Sequence, residues 1–132
     1  MIDATGPRRV LIVDDEEDAR LVAQLGIALV TDWEARLAAS GDEALACFRE
    51  WQPEAVLLDT SMPDCDAFAT LEAMRDAAAD GHVPFVLVAD PETPAEALDA
   101  HGWSVEGVLH KPLDLLSVGA QLAALLGWPQ SN

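Results

Sequence analysis

Basic residues are scarce in this chain: 7 lysines and arginines stand against 24 carboxylates, giving a formal net charge of −17 over 132 residues. A surface so charged repels phosphate backbones, which sets aside direct nucleic-acid binding. It suits cations and basic partner surfaces instead. Cysteine occurs twice, as Cys47 and Cys65. With no metal-type spacing between them, neither a disulfide framework nor a thiolate metal centre is expected. Long hydrophobic runs are missing too. Although 51% of residues are apolar, no run approaches the ~20 residues of a membrane span. The opening "MIDATGPRR" has no apolar stretch of the kind a secretory signal requires. A cytoplasmic protein with free thiols and no membrane contact is the expectation.

What is present is an alternation of strand-like apolar runs and helical patterns, without repeat, low-complexity tract or linker. One domain over residues 1–132 is expected. Residues 9–13 read as a strand, and 16–30 as a helix carrying Leu21, Leu25, Ala28 and Leu29 on one stripe. Residues 33–38 make a weaker second strand. Ser40 and Glu43 stand at capping-box spacing and open a helix that runs to about Trp51. A third strand ends at Asp59, and 66–78 is helical with Phe68, Leu71 and Met74 inward. Residues 84–89 are a fourth strand. Thr93, Pro94 and Glu96 mark a further helix start, as a cap, a first-turn proline and the boxed acid. Residues 106–110 form a short fifth strand, and 113–126 a closing helix ended by Gly127 and Pro129.

Strands this continuously apolar indicate a parallel sheet covered on both faces, an α/β fold. Right-handed crossovers gather all strand C-termini on one edge, where open parallel sheets bind ligands. That edge receives Asp14 and Asp15 after the first strand, Asp59 after the third, Ala89 and Asp90 after the fourth, and His110 and Lys111 after the fifth.

The stretch "VLIVDDEED" therefore divides by position. Asp14 and Asp15 are near enough to the strand end to reach a cation. Glu16, Glu17 and Asp18 complement the first turn of a helix dipole. Two or three carboxylates with waters make a hard-oxygen site for Mg²⁺. Asp59 can be a nucleophile toward a phosphoryl group if a metal and a cation absorb charge on the transferring oxygens. Lys111 is the sole lysine and stands at the mouth of this acidic edge.

With "VDD" after the first strand, "LLDTSMPD" after the third and "HKP" after the fifth, the chain resembles the receiver domains of bacterial two-component response regulators, chemotaxis-type single-domain receivers in particular. The resemblance covers residues 8–127, with short tails. It implies a flavodoxin-like, doubly wound, five-stranded sheet of order 2-1-3-4-5 with five helices. It also implies that Asp59 is the phosphoacceptor, that Asp14, Asp15, Asp59 and the backbone carbonyl of Ser61 hold Mg²⁺, and that Lys111 pairs with the phosphoryl group. The phosphodonor would be a sensor histidine kinase or a histidine phosphotransfer protein, and the signal would pass to a downstream protein partner. Such a domain is a phosphoacceptor, self-phosphorylating at most, and not an enzyme.

Four positions depart from the family. Ala89 stands where a Thr or Ser hydroxyl is usual, with Asp90 following where a small residue is preferred. Val108 takes the place of the aromatic switch, and the chain has no tyrosine. Ala67 replaces a common glycine. The phosphorylation set is intact and the conventional switch pair is missing, which leaves a phosphorylation-independent docking module as the alternative function. A phosphohydrolase with an aspartate nucleophile wants a second acid two residues on, and Ser61 is there instead. A flavin or nucleotide binder would need a glycine-rich or hydroxyl-rich phosphate loop where five acids stand. His110 is expected to be packed or hydrogen-bonded, Cys65 to be unreactive, and Trp103 to cap the core or join an output surface.

Overall fold

The computed structural model describes residues 7–63, 65–79, 81–94 and 104–130. The strands are β1 (Arg9–Val13), β2 (Glu34–Ala38), β3 (Ala55–Asp59), β4 (Phe85–Ala89) and β5 (Gly107–His110). They form one parallel sheet in the order β2-β1-β3-β4-β5. The expected order is borne out. Four helices stand among the described residues: α1 (Glu17–Val30), α2 (Gly41–Trp51), α3 (Ala67–Ala77) and α4 (Val118–Leu126). The helix expected from Thr93 onward lies, beyond Pro94, outside the described residues, and so does Trp103.

Side chains alternate across each strand, so the sheet feeds two cores. Leu11, Val13, Val56, Leu58, Phe85 and Leu87 pack with Phe48, Leu71 and Met74 of α2 and α3. Val10, Ile12, Leu57, Val86 and Val88 pack with Ile27, Val118 and Leu122 of α1 and α4. β3 and β4 are buried along their whole length. Burial on both faces explains why they are apolar throughout except for Asp59 at the end of β3.

Local signals placed the helix starts well where a cap was visible. The Ser40 hydroxyl accepts from the Glu43 N–H at 3.1 Å, and Glu43 Oε1 returns the contact to the Ala39 N–H at 2.7 Å. Gly127 closes α4 at φ 71°, in the left-handed region. Three expectations need correction. The closing helix begins at Val118, because Asp114 first makes a turn: its carbonyl accepts from Ser117 and Val118, and its carboxylate from the Ser117 hydroxyl at 2.7 Å. Phe68 is only half-buried, and Ala67 beside it is buried instead. The leucine stripe of α1 faces outward: Leu21, Leu25 and Leu29 are exposed while Ala23, Gly26 and Ile27 are buried.

The physical reason for that stripe is close approach. A Cβ on Gly26 would lie 2.3 Å from Val118 Cγ1 and 2.8 Å from the Leu115 carbonyl oxygen. One on Gly119 would meet Val30 Cγ2 at 2.5 Å and the Gly26 carbonyl at 2.8 Å. Two glycines let α1 and α4 touch backbone to backbone, a face that hydrophobic periodicity cannot register.

Candidate functional site

At the C-terminal edge the sheet ladder continues one residue past several strands. Asp14 donates its N–H to Ala38 O, Thr60 to Val88 O, and Lys111 to Ala89 O, at 3.1, 2.9 and 2.8 Å. The residues that matter chemically therefore hang on backbone that the sheet itself fixes. Asp59 is the last residue of β3 and Asp14 the first after β1; both are buried, whereas Asp15 is exposed. Carboxylate oxygens of Asp14, Asp15 and Asp59 all lie within 4.8 Å of one another. Residues 45 positions apart in sequence are thus neighbours because parallel strands end together.

Both oxygens of Asp59 are held. Oδ1 accepts from the Ser61 N–H at 3.0 Å and is 2.9 Å from the Ser61 hydroxyl. Oδ2 accepts from Lys111 Nζ at 3.0 Å. Lys111 also reaches Ser61 Oγ at 3.2 Å and lies 4.0 Å from Glu16 Oε1. Asp14 Oδ1 accepts from the Glu16 N–H at 2.9 Å, and Arg20 donates to the Asp14 carbonyl at 2.7 Å. Beside the charges, a cavity of about 240 Å³ opens between α1 and the segment after β5, walled by Val22, Val88, Pro112 and Leu113.

The electrostatics follow from one cation among several acids. Burial, with the neighbouring Asp59 charge, pushes the Asp14 carboxyl up to about 6 against the opposing Glu16 N–H and Lys111. Burial pulls the Lys111 ammonium down, but the hydrogen bond and charge of Asp59, with Asp14 and Asp90, outweigh it and leave the group raised. A buried carboxyl whose charge is left partly uncompensated, in a set of hard oxygen donors, fits a small divalent cation such as Mg²⁺.

The sequence-derived set converges: Asp14, Asp15, Asp59, Ser61 and Lys111 meet at one edge. Ser61 enters also through its side chain, which the motif alone did not call for. Glu16, assigned to the helix dipole, is α1's N-cap position, makes no side-chain cap, and pairs at long range with Lys111. Asp90 joins as well, its Oδ1 3.2 Å from Ser61 Oγ. Ala89 is fully buried, and Val108 is half-buried against the α2–α3 side core. His110 is exposed and hydrogen-bonded, its Nε2 2.9 Å from Thr93 O. Cys65 Sγ lies 3.1 Å from Thr70 Oγ1, and both cysteines are free thiols. Among the described residues, no helix is long and apolar enough to cross a membrane.

The family model for the response regulator receiver domain matches residues 10–122. The transcriptional regulatory protein PrrA of Mycobacterium tuberculosis is 32% identical over 122 residues, covering 92% of this chain and 51% of PrrA. The regulatory protein AtoC of Escherichia coli is 34% identical over 114 residues, covering 84% of this chain and 23% of AtoC. The chain thus spans about half or less of the length of these curated relatives. Among solved structures, the chemotaxis protein CheY4 of Vibrio cholerae superposes with a TM-score of 0.77 at 24% identity, over 91% of this chain and 99% of that one. A CheY-like receiver domain protein from Methanospirillum hungatei gives 0.77 at 19%, over 92% and 95%. These likenesses bear out the fold, and the family match identifies the class: the chain belongs to the response regulator receiver domains of two-component signalling.

Proposed function

We propose that this chain is a phosphoacceptor module of a two-component phosphorelay, receiving a phosphoryl group on Asp59. The observation that carries the reading is the fixed Asp59 carboxylate, paired at 3.0 Å with the only lysine in the chain and set among Asp14 and Asp15. Lys111 and Ser61 hold both Asp59 oxygens, so the nucleophile is oriented before a donor arrives. As the phosphoryl group transfers, the Lys111 ammonium is in place to neutralise its oxygens. Asp14, Asp15, Asp59 and the backbone carbonyl of Ser61 would hold Mg²⁺, which supplies further charge neutralisation on those oxygens. The donor is a phosphohistidine of a sensor histidine kinase or histidine phosphotransfer protein, and output is contact with a downstream protein.

Treatment of the chain with phosphoramidate and Mg²⁺, followed by intact-mass measurement, tests this. One phosphoryl group should add, and the addition should vanish in Asp59→Asn and in excess chelator. Undiminished label in either would contradict the assignment. The second reading, a docking module independent of phosphorylation, is favoured by the fully buried Ala89 and by Val108 at the switch positions. It becomes the account if Asp59 stays unlabelled by every donor.

A further inference from the structure

We infer that Asp90 selects the phosphodonor, favouring a phosphoryl group carried on an imidazole nitrogen over one carried on an acyl group. The inference rests on the phosphoacceptor reading of Asp59. Asp90 follows β4 directly and is half-buried. Its Oδ1 is 3.2 Å from the Ser61 hydroxyl, which is itself 2.9 Å from Asp59 Oδ1 and 3.2 Å from Lys111 Nζ. A single hydroxyl group therefore separates the Asp90 carboxylate from the acceptor. Its backbone is fixed too, since its carbonyl accepts from the Thr93 N–H at 3.0 Å. Behind it, Ala89 adds no polar atom. With Oδ1 turned to the Ser61 hydroxyl, the Asp90 carboxylate lies one group away from Asp59, and Oδ2 is the oxygen assigned here to an incoming donor.

The two donor classes meet that oxygen differently. An acyl phosphate brings a dianionic phosphoryl group and departs as a carboxylate; it has no proton to offer and is only repelled. A phosphoimidazole protonated on its second ring nitrogen brings positive charge and an N–H donor. Asp90 Oδ2 accepts that hydrogen bond, as carboxylates orient imidazoles elsewhere. In the transfer, an Asp59 oxygen bonds to phosphorus as the P–N bond breaks. The electron pair of that bond returns to the ring nitrogen, and a neutral imidazole leaves with its other N–H intact. Asp90 neither gives nor takes a proton; it favours the ring form from which the P–N bond breaks most readily.

The test compares the rate at which Asp59 is labelled by acetyl phosphate and by phosphoimidazole, with Mg²⁺, in the full chain and in Asp90→Ala, Asp90→Asn and Asp90→Glu. Loss of the charge should speed labelling by acetyl phosphate roughly tenfold at low salt, an effect that fades as salt rises. Loss of a hydrogen bond from a charged donor should slow labelling by phosphoimidazole roughly tenfold. Asp90→Asn should fall between the parent and Asp90→Ala, and Asp90→Glu should restore the parent's preference. Equal changes for both donors, or a change for acetyl phosphate alone, would overturn the inference while leaving the acceptor role standing. No labelling of the parent by either donor would overturn both.

Discussion

The surroundings of Asp14 oppose its charge, and its titration has a consequence for stability. Its carboxyl is raised to about 6 in the fold from an ordinary 3.8. The folded state therefore holds a proton that the unfolded chain has already lost over that interval. The contribution is full below about pH 4 and declines as pH rises toward about 6, by up to about 3 kcal/mol. Chelator-treated protein should thus lose stability across this window in denaturant titrations, and Asp14→Asn should flatten the slope and be the more stable protein at neutral pH. A parent and variant with parallel pH profiles would show that Asp14 is not the group responsible. At Lys111 the fold favours the charged form instead, because the ammonium pairs with Asp59, whose side chain has 0% exposure. Lys111→Ala leaves that carboxylate buried without its cation and should cost about 3 kcal/mol in metal-free solution. Equal unfolding midpoints for parent and variant would count against the pair.

Among the elements, α1 and α4 owe their contact to Gly26 and Gly119. Alanine is the better helix former by about 1 kcal/mol. Gly26→Ala should nonetheless destabilise the protein by about 1–2 kcal/mol, because the new methyl meets the Leu115 backbone and not merely a flexible side chain. A rise in melting temperature would show that the helices can separate without loss. This contact also marks where sequence stopped informing. Strand positions, their parallel pairing and the Ser40–Glu43 cap were legible, since alternation, apolar runs and cap chemistry are local. The outward leucines of α1 were not, because which face packs depended on two glycines 93 positions apart in sequence. The site was legible for a different reason: Asp14, Asp15, Asp59 and Lys111 each follow a strand, and a parallel sheet brings such positions together. Ser61's hydroxyl bridge to Asp90 joins two loops and left no trace in either motif. At this scale, signal transmission is also testable. Ala89 offers no hydroxyl to a phosphoryl oxygen, and a hydrogen bond to a charged group is worth roughly 1.5–3 kcal/mol. A ligand that does not distinguish two states shifts neither. Beryllofluoride, a phosphoryl mimic, should therefore shift backbone NMR signals around residues 59–62 and 110–112 far more than along α4. Equally large changes throughout α4 would show that another contact, such as Ser61 to Asp90, replaces the missing hydroxyl.

Taken whole, the molecule concentrates negative charge at the edge where its strands end and leaves one ammonium there to offset it. A net charge of −17 makes such an edge a strong attractor of divalent cations. At a hundredfold excess over its dissociation constant, Mg²⁺ should stabilise the fold by roughly 2.7 kcal/mol. A melting temperature indifferent to millimolar Mg²⁺ would contradict the donor set. The claim on which everything else depends is that Asp59 becomes an acyl phosphate, and reductive trapping measures that bond at the residue itself. Borohydride converts an aspartyl phosphate to homoserine, so peptide sequencing by mass spectrometry after donor treatment reports which carboxylate was modified. Homoserine is expected at position 59, dependent on Mg²⁺, with Asp14, Asp15 and Asp90 untouched. Homoserine at any of those three positions, or none at 59 while the intact mass shows a phosphoryl group, would contradict it.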